Sequence, residues 1–144
     1  MSDQYYREAL RMGQRESKAC ASRGLSPYLP ALDDLISGES YTSGESLGLI
    51  QVPAEFIVGT KTSGRTNAFA PNYMPLLEEK SEFATKWRTL CSAHLREGIR
   101  DPVKVYEYKN RFYVEEGNKR VSVLKFFGAI SIAAEVKRIL PPRN

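Results

Sequence analysis

The most constraining feature of this sequence is a junction in its last third, where a hairpin runs into a helix through one glycine. β-Branched and aromatic residues are concentrated over residues 103–108 and 112–114, and the Lys109-Asn110 pair between them is typical of a tight turn. Gly117 follows, and residues 118–128 have the apolar spacing of a helix. This order predicts a domain of the α/β (α+β) class.

Two longer helices are predicted before this junction in the chain. We expect one helix that is capped by Asp3 and ends at Gly24, and a second that is capped by Ser81 and stopped by Gly98. The smaller predicted elements are a short helix over residues 31–36, a loop over 37–46, a strand with a turn or kink over 47–58 and a final strand over 130–140.

The length of the chain suits one domain with a modest core. It has 144 residues, 42% of them apolar, which is enough for a single hydrophobic core. The sequence lacks an apolar span of ~18 residues and begins with polar residues, so we expect a cytoplasmic protein with no membrane contact. The predicted organisation is an N-terminal helical arm (1–46), a domain (47–140) and a tail or linker (141–144).

Charge is distributed unevenly along the chain. The formal net charge is +4, but residues 100–144 hold ten Lys or Arg against five Asp or Glu, whereas the first 99 residues are slightly acidic. A basic balance confined to one third of a chain favours an anionic ligand such as a phosphate, a nucleotide or a nucleic acid.

Cysteine and histidine are too few for several kinds of site. Two cysteines, Cys20 and Cys91, do not form a disulfide framework, and the single histidine, His94, leaves no plausible zinc set. We therefore expect no metal site. Cys91 falls on the apolar stripe of the helix that begins near Ser81, so we interpret it as a packing residue rather than a nucleophile.

The Gly117-Asn118-Lys119-Arg120 box has the chemistry of an anion site. Gly117 permits a positive φ and lets a ligand approach the main chain, and the amides of the next three residues open a helix whose dipole is positive at that end. Lys119 and Arg120 add full charges, and an arginine can hold a phosphate through two parallel hydrogen bonds. The alternative is a plain helix start with two exposed basic residues.

Residues 47–140 resemble the ParB/sulfiredoxin-like superfamily, whose modules are also named ParB N-terminal or ParB-like nuclease domains. The likeness rests on the sequence motif over residues 94–105, the hairpin over 106–114, and the box over 117–120, which is followed by Leu124 and Gly128. It implies a small mixed sheet with packed helices, here preceded by the helical arm.

The resemblance also implies a ligand. In this fold the box holds the phosphates of CTP in partition proteins and of ATP or ADP in sulfiredoxin and the free serine kinases. A family arginine on the loop before the long helix corresponds to Arg65, followed by Thr66. The resemblance thus implies a bacterial nucleotide- or phosphate-binding module, acting with Mg²⁺ and having a regulatory or DNA-associated role.

The sequence departs from the family in two ways. Sulfiredoxin chemistry needs a cysteine directly after the glycine of the box, where this chain has Asn118, so we do not expect sulfinic acid reduction. Partition proteins continue with a helix-turn-helix and a dimerisation domain, for which the residues after Leu140 leave no room. We expect either a stand-alone module, which could be a homodimer, or part of a longer protein with a further domain after Asn144.

An enzymatic function is the less favoured alternative. A carboxylate beside a bound phosphate can act as a base or hold Mg²⁺, which makes Glu116 the candidate for phosphoryl transfer or phosphodiester hydrolysis. Strand alternation predicts that only one of Glu115 and Glu116 faces the site. His94 could act as a general base, although a structural role at the helix end is the simpler interpretation.

Direct DNA binding without a nucleotide is the other alternative. Basic residues on the predicted strands alternate with aromatic ones and could form a basic surface with stacking rings; they are Lys104, Arg111, Lys137 and Arg138. The competing explanation is that strand alternation turns these basic side chains to water.

Overall fold

The computed structural model describes residues 2–36 and 42–140, apart from the side chains of residues 42, 43 and 65. In these residues the helices are α1 (Ser2–Ser22), α2 (Leu32–Leu35), α3 (Glu82–Glu97) and α4 (Asn118–Phe126). The strands are β1 (Thr42–Pro53), β2 (Ile57–Thr60), β3 (Val103–Tyr108), β4 (Arg111–Glu116) and β5 (Ser131–Leu140). Two 3₁₀ turns cover Ala54–Phe56 and Ser63–Ala68.

The five strands form one mixed sheet in the order β1-β5-β3-β4-β2. β1 pairs antiparallel with β5, and β3 pairs antiparallel with β4, whereas the β3–β5 and β2–β4 pairs are parallel. A mixed sheet with packed helices confirms the predicted α/β class.

The local signals at α3, the hairpin and α4 are confirmed. Ser81 caps α3 by accepting a hydrogen bond from the Ala84 amide at 3.1 Å, and Gly98 ends this helix. Lys109 and Asn110 both have positive φ, at 50° and 65°, as the two-residue turn between β3 and β4 requires. Each of these features depends on a few neighbouring residues, which is why the sequence pattern predicts them.

Two boundaries differ from the expectation. Asp3 lies inside the first turn of α1 instead of capping it, and its carboxylate pairs with Arg88 at 3.2 Å. Part of the predicted loop over 37–46 belongs to β1, which begins at residue 42, while residues 37–41 lie outside the described part of the chain. The long β5 supplies hydrogen-bonding partners to this polar edge strand from one end to the other, so strand formation here does not depend on apolar content.

The described residues form three core clusters, one on each face of the sheet and one among the helices. The largest lies between the sheet and α4 and includes Val103, Val114 and Val121. A second cluster joins the arm to the domain, because Tyr6 of α1 packs edge-to-face on Trp87 of α3. The third cluster lies beneath α2 on the opposite face and contains the buried tyrosines Tyr108 of β3 and Tyr113 of β4.

Candidate functional site

Gly117 opens α4 in a geometry that only glycine fits. Its φ of 112° and ψ of 24° are left-handed, a conformation that other residues rarely adopt. A Cβ at this position would lie 2.6 Å from Cγ1 of Val103 and 3.1 Å from Nη2 of Arg120. The first amides of α4, on residues 118–120, have no intrahelical acceptor, and no side chain at Gly117 caps them.

An open cleft of about 940 Å³ lies in front of this helix start. One wall comes from α3, with Phe83, Lys86 and Leu90, and the loop wall includes Gly64 and Asn67 of the second 3₁₀ turn. All four residues of the box line the cleft. The structure therefore brings the predicted box and the predicted loop to one site, although they are separated by about 50 positions in the chain.

Arg120 is held beside Gly117 by the main chain of the segment before β3. Its Nη1 donates to the carbonyl oxygens of Asp101 at 3.1 Å and Pro102 at 3.0 Å. This nitrogen is already engaged, so a ligand in the cleft is left with the remaining donors of the guanidinium. Arg120 both braces the 101–102 segment and contributes a fixed positive charge to the cleft.

Asn118 ties α4 to β2 through its side chain. Nδ2 donates to Oγ1 of Thr60 at 3.0 Å, and Oδ1 lies 2.8 Å from the hydroxyl of Tyr73. The Tyr73 hydroxyl is also 2.7 Å from the carbonyl oxygen of Gly59, so its one proton is donated to either acceptor. The amide of Asn118 remains at the cleft, but its side chain serves to position the helix.

Sequence reasoning missed Tyr73 and Thr60 as supports of the site. Tyr73 is fully buried with a positive φ of 71°, and burial raises its pKa well above the usual value. Thr60 is also buried and donates to the carbonyl oxygen of Val114 at 3.2 Å. No local pattern marks either residue, because their partners are distant in the sequence.

Lys119 contributes a second positive charge. Its Nζ lies 5.4 Å from the centre of the Phe83 ring, within range of a cation–π contact. Lys86 of the facing helix is paired with Glu82 at 3.2 Å. Among the described lining residues, Lys119 and Arg120 are therefore the cations that lie at the start of α4.

Both glutamates before the box line the cleft, in contrast to the expected alternation. The pairing of β3 with β4 shifts register where Lys104 faces Glu116 and Val105 faces Val114, so an extra residue enters β4 here. A bulge of this kind places consecutive side chains on the same side. The Glu116 carboxylate is 3.6 Å from Nζ of Lys104, and both side chains are more than half exposed.

The contacts of His94 and Cys91 are those of residues with a structural role. Nδ1 of His94 accepts a hydrogen bond from the Ile99 amide at 3.2 Å, and the ring packs against Phe127. Cys91 is fully buried, and burial raises the pKa of its thiol. A high pKa keeps the thiol protonated and weakly nucleophilic.

Arg65 and Thr66 lie in the 3₁₀ turn Ser63–Ala68. The Arg65 side chain is outside the described part of the structure. Thr66 donates from Oγ1 to the carbonyl oxygen of Ser63 at 3.2 Å, a contact within the turn. Its neighbours Gly64 and Asn67 line the cleft.

The basic residues predicted to contact nucleic acid do not form one basic surface. Lys104, Arg111 and Lys137 share one face of the sheet, with Glu135 paired beside Lys104. Arg138 lies on the opposite face, where it pairs with Glu107 at 2.8 Å. The sheet surface beside Lys104 and Lys137 is therefore mixed in charge.

Two classes of feature are absent from the described residues. Within 2–36 and 42–140, no helix is both long and apolar enough to cross a bilayer. The same residues contain no cluster of three or more His, Cys, Asp or Glu side chains that could hold a metal ion.

Comparison with solved structures finds a likeness to sulfiredoxin from Arabidopsis thaliana. The two chains are 19% identical with a TM-score of 0.42, and the match covers 62% of this chain and 84% of that chain. No protein-family model and no curated protein matches this sequence. The likeness to sulfiredoxin concerns the fold alone.

Proposed function

We propose that this protein binds the phosphate group of a nucleotide, or of a related phosphorylated ligand, in the cleft before α4. The observation that carries the proposal is the geometry of Gly117, where a Cβ would meet Val103 and Arg120. The missing side chain leaves the first amides of α4 open to a ligand, and such amides together with the helix dipole favour an anion.

The charges and the apolar wall favour a phosphate that carries an organic group. Lys119 and Arg120 both line the cleft next to the helix start, while Phe83 and Leu90 line it on the α3 side. Small-molecule sites typically combine a few fixed polar groups with an apolar wall. A nucleotide fits this division, with phosphates at the amides and the base or sugar against α3.

Arg65 and Thr66 remain part of the proposal. Their turn carries two cleft residues, Gly64 and Asn67, so a ligand bound at α4 lies within reach of this loop. Mg²⁺ would accompany the nucleotide phosphates, because hard cations are commonly shared between phosphate and one or two carboxylates. Glu115 and Glu116 are the carboxylates next to the box.

Isothermal titration calorimetry with CTP, ATP and ADP, each with and without Mg²⁺, tests the proposal. We expect at least one nucleotide to bind and Lys119→Gln to weaken it about tenfold, as for one charge-assisted contact worth ~1.5 kcal/mol. The matched control is Lys137→Gln, which removes the same charge outside the cleft and should leave the affinity unchanged. Absence of binding of all three nucleotides at millimolar concentration contradicts the proposal.

Variants of Arg120 must separate its proposed role in ligand binding from its role in holding the 101–102 segment. Arg120→Ala removes the hydrogen bonds to the carbonyl oxygens of Asp101 and Pro102 as well as the charge, so we expect it to lower both the melting temperature and the affinity. Arg120→Lys keeps the charge while losing the planar donor geometry. We expect this variant to retain more nucleotide affinity than the alanine variant.

A regulatory role is proposed in preference to catalysis. The Glu116 carboxylate is more than half exposed and pairs with an exposed lysine, whereas an acid–base group is usually held by buried partners. Incubation with the bound nucleotide, followed by chromatography of the products, should show no turnover. Turnover that is lost in Glu116→Gln would instead identify an enzyme.

A further inference from the structure

A row of basic residues follows one face of α1, far from the cleft in the sequence. Arg7, Arg11, Arg15 and Lys18 are spaced by four, four and three residues, which places them above one another on a helix surface. All four are exposed. Arg7, at one end of the row, is paired with Glu79 at 3.1 Å. The other three cationic side chains of the row are Arg11, Arg15 and Lys18.

These three cations have no ion-pair partner among the described residues. The salt bridges of residues 2–36 and 42–140 include none with Arg11, Arg15 or Lys18. Glu16 is half-buried and belongs to the opposite side of the helix, while Glu8 lies one turn before Arg11 at the margin of the row. The row therefore keeps a net positive charge, with Glu8 as the acidic residue beside it.

The domain holds α1 so that this row faces solvent. The buried residues of the helix are Tyr6, Ala9, Gly13 and Cys20, which share the side opposite the row. The backbone at Gly13 packs so closely that a Cβ there would be 2.2 Å from the carbonyl oxygen of Pro75. This contact fixes the orientation of α1 on the domain and presents the row as a rigid surface.

We infer that Arg11, Arg15 and Lys18 form a docking surface for the phosphate backbone of a nucleic acid. Successive residues of the row rise by about 6 Å and 4.5 Å along the helix axis, given 1.5 Å per residue. A duplex presents about one negative charge per 1.7 Å of its axis, so all three cations can contact phosphates at once. Contacts of this kind position a protein without reading sequence.

The composition of this face separates a nucleic acid from other anionic partners. Its exposed residues are all polar; they are Gln4, Arg7, Glu8, Arg11, Gln14, Arg15, Lys18 and Ser22. A membrane-surface helix inserts an apolar face into lipid, but the apolar face of α1 is buried against α3. A protein interface usually has an apolar centre, which this row lacks.

The test is a salt-dependent binding measurement on the whole chain. Fluorescence anisotropy with labelled duplex DNA and duplex RNA should show binding by the unmodified protein. The logarithm of the binding constant should fall linearly with the logarithm of salt concentration. In R11Q/R15Q/K18Q we expect an affinity at least about tenfold lower and a salt slope smaller by about 2.7, for three lost phosphate contacts. The two duplexes distinguish the source of the phosphates.

The matched control removes three positive charges elsewhere. K104Q/R111Q/K137Q lowers the charge of the sheet face by the same three units and should retain the duplex affinity and the salt slope of the unmodified protein. In R11K/R15K the charge is kept, so binding should persist even if the glutamine variant is poorly folded. Circular dichroism monitors the fold of each variant.

Two results would overturn the inference. One is no binding of either duplex, and phosphatidylserine vesicles then test whether a lipid surface binds instead. The other is an equal loss of affinity in the sheet control. Nucleotide titration of R11Q/R15Q/K18Q should match that of the unmodified protein, because the row and the cleft share no residue. Failure of this inference is therefore distinguishable from failure of the proposed nucleotide site.

Discussion

The guanidinium of Arg138 donates a hydrogen bond from Nε to the carboxylate of Glu107 at 2.8 Å, joining β5 to β3. Glu107 is buried, with 7% of its surface exposed, and its other oxygen accepts from the Asn110 amide at 2.9 Å. One carboxylate thus holds the strand pair and the hairpin turn together. The pairing also raises the pKa of Arg138.

Removing Arg138 should destabilise the protein more than removing its neighbour. Arg138→Gln leaves the buried Glu107 carboxylate without its cation, and an uncompensated buried charge is costly. Lys137→Gln removes an exposed charge that has no ion-pair partner within residues 2–36 and 42–140 and should change the melting temperature little. Thermal unfolding of both variants measures the difference, and equal melting temperatures would show that the pair is unimportant.

Stability should depend on pH through Lys125. Its Nζ donates to the carbonyl oxygen of Ile57 at 2.8 Å, and burial lowers the pKa of Lys125 from 10.5 to about 8. Between these values the unfolded chain binds the proton and the folded chain does not, so the contribution of Lys125 to the unfolding free energy rises from pH 8 to 10.5. Below pH 8 both states are protonated and burial of the charge is unfavourable.

Lys125→Met isolates this contribution. Denaturant unfolding at pH 7, 8, 9 and 10 should show that Lys125→Met is more stable than the unmodified protein at pH 7. This difference in unfolding free energy should shrink as pH rises. Lys109→Met, at an exposed turn position, is the control and should follow the unmodified protein. A difference between Lys125→Met and the unmodified protein that does not change with pH would contradict the expectation.

Two glycines with positive φ separate backbone strain from steric conflict. Gly117→Ala adds a Cβ 2.6 Å from Val103, whereas Gly128→Ala, at φ 77°, adds one into open space. Each substitution bears the cost of the left-handed conformation, about 1–2 kcal/mol. We expect Gly117→Ala to exceed this cost and to weaken nucleotide binding, and Gly128→Ala to leave binding intact. Denaturant unfolding and calorimetry provide the two measurements.

Ser122 should matter because it is the acceptor for the one tryptophan of the chain. Nε1 of Trp87 donates to Oγ of Ser122 at 2.9 Å, and both residues are fully buried. Ser122→Ala leaves this N–H unpaired, at a cost of about 1–3 kcal/mol. Ser131→Ala, at an exposed hydroxyl, should cost less than about 0.5 kcal/mol. Denaturant unfolding followed by tryptophan fluorescence compares them.

The sequence by itself determined the features that depend on neighbouring residues. Ser81 and Gly98 bound α3, Lys109-Asn110 makes the hairpin turn, and Gly117 opens α4. Each of these follows from the backbone conformation that one or two side chains permit, or from the amide that a short polar side chain can reach. The open helix start of the candidate site was predictable for this reason.

Only the tertiary structure decided what the individual side chains do. It directed the Asn118 side chain to Tyr73 and Thr60, which are 45 and 58 positions away, and engaged Arg120 with carbonyl oxygens 18 and 19 positions away. It separated Arg138 from the other strand cations and set α1 on the domain with its basic row outward. These outcomes depend on which distant segments pack together, and periodicity and local spacing contain no information about that choice.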